Sequence, residues 1–133
     1  MSARILVFSR EPSVLKVFGQ LLKSQGYKHV VGLTELCTLH EVRAMKPDLI
    51  VLLDVIASEA DPEHQFLQSL KVHPTTGQIP IILRLPSTQQ GQEMQKVLGG
   101  HGVYILPELF TFAGLLHAIQ TTLEATDRPK NRA

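Results

Sequence analysis

Leu49-Ile50-Val51-Leu52-Leu53 is an unbroken apolar run that stops at a carboxylate, Asp54. No other stretch restricts the fold as much. The run is too short for a helix of ordinary length, and it lacks the alternation of a half-wetted strand. It reads as a strand covered on both faces, in the middle of a parallel sheet with helices on each side. Pro47 ends the helix before it, because proline has no amide donor and disfavours helical geometry at Lys46. Asp54 then stands at the carboxyl end of the strand, the edge where open α/β sheets place ligands and chemistry.

The rest of the chain repeats the unit. Strands are expected over Arg4–Ser9, Lys28–Leu33, Ile79–Leu83 and Val103–Leu106. A first helix opens at Pro12 and ends at Gly26, with Val14, Leu15, Phe18, Leu21 and Leu22 at helical spacing. Thr34 is the expected cap of a second helix carrying Leu36, Leu39, Val42 and Met45. Asp61-Pro62-Glu63 opens a third, with Phe66, Leu67 and Leu70 facing inward, and His73 to Gln78 makes a turn. Gln89–Leu98 and Phe112–Leu123 complete the set, and Gly99, Gly100 and Gly102 form a flexible loop. Strand and helix alternate throughout. Right-handed crossovers turn that order into an α/β fold, a doubly wound five-stranded parallel sheet of flavodoxin-like order 2-1-3-4-5 with helices on both faces. Residues 1–123 make one domain, and 124–133, polar and carrying Pro129, read as a frayed tail or the start of a linker.

Composition excludes several functions. The chain has 133 residues, enough for one domain, and is 44% hydrophobic, so it folds. Thirteen Lys and Arg against twelve Asp and Glu leave a net charge of +1, with no basic excess for nucleic acid. No apolar run approaches the ~20 residues that span a bilayer. The lone Cys37 and a start without an apolar leader carry the expectation of a reducing cytoplasm. The six histidines (His29, His40, His64, His73, His101, His117) show no metal-ligand spacing. The glycine-rich 99–102 segment precedes a strand, whereas a phosphate-cradling loop follows one.

In order, five fragments resemble the response-regulator receiver (CheY-like) family over about residues 3 to 122: Ile5 to Ser13, Leu22 to Tyr27, Lys46 to Val51, Leu70 to Pro74 with Ile79 to Ile82, and Gly99 to Pro107. The resemblance implies a cis candidate at Leu106–Pro107. It also implies where a phosphoryl-transfer site would lie. The family uses an acidic pair after strand one to hold Mg²⁺, an aspartate ending strand three as acceptor, a hydroxyl ending strand four and a lysine ending strand five.

Those positions have changed here. The acidic pair falls on Ser9 and Arg10, with only Glu11 beyond. The acceptor position falls on Leu53, with Asp54 one residue late, and a one-residue slip turns a side chain to the opposite face unless a bulge restores it. The hydroxyl position falls on Leu85, with Ser87 and Thr88 past it, and the lysine position on Leu106. The pattern resembles a degenerate pseudo-receiver, a non-enzymatic signalling module without cofactor or metal that binds a protein partner, such as a histidine kinase or another signalling protein, or a second copy of itself. By the same resemblance Met94, Tyr104 and Phe110 are candidates for the interaction surface, while Val97 and Phe112 read as core. Arg10 is expected to pair with Asp54 or Glu11 in the vacated metal site. The alternative is a working phosphorelay receiver that accepts phosphoryl on Asp54, with Glu11 and Asp54 holding Mg²⁺. A third class is a small flavodoxin-like protein binding a flavin or nucleotide.

Overall fold

The computed structural model describes residues 3–98 and 102–132. The chain runs β1 (Arg4–Phe8), α1 (Pro12–Ser24), β2 (His29–Leu33), α2 (Leu39–Met45), β3 (Leu49–Val55), α3 (Pro62–Val72), β4 (Ile81–Arg84), α4 (Gln89–Leu98), β5 (Val103–Leu106) and α5 (Phe112–Arg132). The strands form one sheet in the order β2-β1-β3-β4-β5, each pair parallel. The expected topology is the observed one.

Alternation along the strands feeds two cores. Leu6, Phe8, Ile50, Leu52, Ile81 and Leu83 face α2, α3 and α4, meeting Val42, Phe66, Leu67, Leu70 and Met94. Ile5, Val7, Leu49, Val51, Leu53 and Ile82 face α1 and α5, meeting Leu22, Leu115, Ala118 and Ile119. The five residues Leu49 to Leu53 are each at most 2% exposed, so β3 is covered on both sides as its composition requires. Burying each such side chain stabilises by about 1.5–3 kcal/mol.

Several expectations are corrected. The second helix starts at Leu39, not after Thr34. Its cap is Thr38, whose hydroxyl accepts from the Glu41 amide while the Glu41 carboxylate accepts from the Thr38 amide. The fourth strand begins at Ile81, since Pro80 has no amide to give the ladder. Helix α5 continues beyond its expected end at Leu123 to Arg132, with no breaker before Pro129. As expected, Lys46 leaves the helical region in front of Pro47, closing α2 in a left-handed conformation (φ 49°, ψ 57°). No described peptide bond is cis, so Leu106–Pro107 takes the trans form that X–Pro bonds favour intrinsically. Of the expected loop at Gly99, Gly100 and Gly102, the first two lie outside the described residues, and Gly102 takes a positive φ of 77°. Helix α4 sits so close to the chain before it that a Cβ on Gly91 would lie 1.9 Å from the Pro86 carbonyl oxygen.

Candidate functional site

The carboxyl ends of β1 and β3 meet at Asp54. Strand β3 pairs with β4 in simple register up to Leu52 opposite Leu83, and the next partners are Val55 and Arg84. The residues between, Leu53 and Asp54, therefore form a bulge. Leu53 keeps its place in the α1/α5 core at 2% exposure. Asp54, half-buried, reaches across to β1, where Oδ1 accepts from the Ser9 hydroxyl at 3.0 Å and Oδ2 from the Arg10 amide at 2.8 Å. The bulge thus leaves Leu53 in the core while Asp54 turns to the end of β1.

Ser9 is buried at 3% exposure, and its oxygen also accepts from the Glu11 amide at 3.2 Å. The exposed Glu11 is the N-cap residue of α1 and makes no side-chain cap bond. The Arg10 side chain pairs with neither Asp54 nor Glu11. Its Nη2 donates to Glu63 Oε1 at 3.1 Å, from a side chain 63% exposed to one 8% exposed. Glu63 belongs to the first turn of α3, where a negative charge also suits the helix dipole. The α3 approach is held by Asp61, whose carboxylate accepts from the Ala57 amide at 2.8 Å. Together Phe8, Ser9, Arg10, Asp54 and Glu63 line a cleft of about 320 Å³, closed on the β2 side by Thr34, Glu35 and Leu36.

Mg²⁺ usually keeps several waters and takes one or two carboxylates from a protein. Here Asp54 already binds two protein donors, Glu63 is matched by Arg10, and Glu11 is not among the lining residues. Among the described residues no group of three or more His, Cys, Asp or Glu is placed to hold a metal ion.

The other two family positions lie elsewhere. Leu85 is 4% exposed in the α2/α3/α4 core, and Leu106 is 2% exposed in the α1/α5 core. Both line a separate cleft beside α4, with Pro86, Gln92, Gln95 and Pro107, and neither borders Asp54. Thr88 does not line the Asp54 cleft, and its Oγ1 accepts from the Gly91 amide at the start of α4.

Two residues that sequence reasoning passed over hold this edge. One is Glu63. The other is Arg84, whose Nη1 donates to the Leu53 carbonyl at 2.5 Å and whose Nη2 donates to the Glu108 carbonyl. Its guanidinium lies 4.8 Å from the Phe110 ring centroid, within cation–π range. The carboxylate of Glu108 in turn accepts from the Ser87 amide at 3.2 Å. One arginine thus ties the ends of β3, β4 and β5. The available signal was a lone cation closing the apolar run Ile81–Leu83.

The candidate interaction residues separate. Met94 is 5% exposed in the core, so it offers no surface; the helical register of α4 turns it inward. Tyr104 and Phe110 are half-buried against the α1/α5 core, with Phe110 5.9 Å from Phe18. Phe112 packs on Phe18 as expected, 6.1 Å between centroids. Val97, expected in the core, is 68% exposed, and Leu109 beside Phe110 is 91% exposed.

No family model matches the sequence, and no curated protein matches it. Solved structures do. A response regulator from Desulfuromonas acetoxidans superposes with a TM-score of 0.69 at 18% identity, covering 92% of this chain and 98% of that one. The chemotaxis response regulator CheY4 of Vibrio cholerae gives 0.71 at 17% identity, covering 92% and 99%. The signal receiver domain of a signal transduction histidine kinase from Syntrophus aciditrophicus gives 0.73 at 18% identity, covering 96% and 94%. Among the described residues no helix is long and apolar enough to cross a membrane. With its strand order, its paired cores and these superpositions, the chain has the fold of the CheY-like response-regulator receiver domains.

Proposed function

We propose that this chain is a non-enzymatic signalling module that binds a protein partner on a receiver scaffold without accepting a phosphoryl group. The observation that carries the reading is the occupation of Asp54. Its two oxygens serve as acceptors for Ser9 and Arg10, the residues standing where a receiver needs its metal-binding acids. Phosphoryl transfer also needs cations and donors over the equatorial oxygens. The side chains at those two positions are buried leucines, Leu85 and Leu106. The partner is a histidine kinase or another signalling protein, or a second copy, and the reading needs no cofactor. The contact surface is the α4–β5–α5 face, where Tyr104 and Phe110 are accompanied by the exposed Val97 and Leu109.

The bulge favours one competing reading, because it brings Asp54 to an open cleft. A single experiment separates the two. The protein is incubated with acetyl phosphate and Mg²⁺ and its intact mass is measured. The expected result is no mass increase and no Mg²⁺-dependent change in Tm. An adduct of phosphate mass that vanishes in Asp54→Asn would establish a working receiver instead.

A further inference from the structure

A second cavity, about 380 Å³, lies at the opposite end of the strands, where Leu6, Val31, Met45 and Pro47 supply its apolar lining. Its origin is visible in the fold. Strand β2 is an edge strand paired only with β1. Helix α2 runs for just 7 residues, and Val31 is left 46% exposed. The remaining lining includes the side chains of Arg4, Lys28 and His29, all exposed and none ion-paired among the described residues. The nearest carboxylate in sequence, Asp48, already accepts from the Arg4 amide at 2.8 Å. From Arg4 to Ser9 the chain rises on the order of 16 Å, at roughly 3.3 Å per residue, so this cavity is separate from the Asp54 cleft.

We infer that this pocket is a binding site for a small anionic amphiphile, such as a medium-chain carboxylate or an aryl sulfonate. Ligand pockets are of roughly this size, apolar in most of their lining, with a few polar groups that set orientation. The apolar body rests on Val31 and Met45. The anionic head is directed to the Arg4 and Lys28 cations, with His29 beside them, while the Asp48 carboxylate is held on the Arg4 amide outside the lining. A neutral molecule of the same shape gains only the apolar part. The inference is independent of whether Asp54 is phosphorylated.

The test uses 1-anilinonaphthalene-8-sulfonate as a fluorescent anionic probe and N-phenyl-1-naphthylamine as its uncharged counterpart. The sulfonate is expected to bind at one site, to be displaced by decanoate, and to shift the amide resonances of Val31 and Met45. Combining Arg4→Gln with Lys28→Gln should weaken the sulfonate at least tenfold and the neutral probe less than twofold. Val31→Glu, an exposed edge change, should abolish both. Absence of saturable sulfonate binding, or binding that the double substitution leaves within twofold, would overturn the inference. Resonance shifts confined to other parts of the surface would do the same.

Discussion

Ser9 shows how much one hydroxyl can hold. It donates to Asp54 and accepts from the Glu11 amide while almost wholly buried. Ser9→Ala removes both bonds at once, leaving the Glu11 amide without this acceptor and one carboxylate oxygen short of a donor. A loss of about 1–3 kcal/mol is expected, read as a lower urea midpoint at unchanged m-value. Arg84 is the second such residue. Arg84→Met keeps much of the side-chain volume but removes two charge-assisted bonds to carbonyls and the contact with Phe110. The expected cost is about 3 kcal/mol, and a change below about 0.5 kcal/mol would show that the guanidinium is ornamental. By contrast, Arg10→Ala should cost under about 1 kcal/mol, since its side chain is mostly in water. Ser9 and Arg10 could be read from sequence as departures from an acidic pair. Their partners could not, because which carboxylate an arginine reaches depends on where separate elements meet.

At the scale of elements, α2 is a short helix resting on its cap. The Thr38–Glu41 box lowers the Glu41 carboxyl below 4.5, first through the Thr38 amide and then through the Thr38 hydroxyl. Because the folded value lies below the unfolded one, the stability linked to Glu41 is present above about pH 4.5 and is lost as pH falls through the folded value. Thr38→Ala should cost about 1 kcal/mol and move the Glu41 titration, followed by carboxyl NMR, back toward 4.5. An unmoved titration would show that the box does not persist in solution. The signal for this cap was legible. Thr38-x-x-Glu41 satisfies the reciprocal pattern, whereas Thr34 has Cys37 three residues on and cannot. The bulge in β3 was not legible in the same sense. Register is a property of two strands, and the β3 sequence permits either the slipped or the bulged arrangement. The five elements of each type were readable because apolar runs and helical stripes are properties of single segments.

For the whole molecule, the first half of the last helix has to stay docked on the core. Tyr27, in the turn between α1 and β2, has its hydroxyl raised above 10.0, chiefly by burial and secondly by the charge of Glu124 in the middle of α5. The raised value means that the neutral phenol is favoured in the fold. Its contribution is complete below pH 10 and is lost as pH rises through the folded value. In a Tyr104→Phe background, absorbance at 295 nm isolates Tyr27. Adding Glu124→Gln should bring its titration partway back toward 10.0, leaving the larger effect of burial. No change would place Glu124 away from the turn and end the ordered packing of α5 near Leu123. The sheet order and both cores followed from pattern alone, while α5 runs past Leu123, the last residue of its apolar stripe, to Arg132.

The bulge between Leu52 and Val55 has an evolutionary corollary. The extra residues are accommodated where they occur, and β4 and β5 keep unbroken alignment beyond them. Length change at this rim is thereby uncoupled from the integrity of the interior. A lineage can add, drop or exchange residues at the mouth of such a sheet, retiring one chemistry and trying another, while the body beneath goes on folding as before.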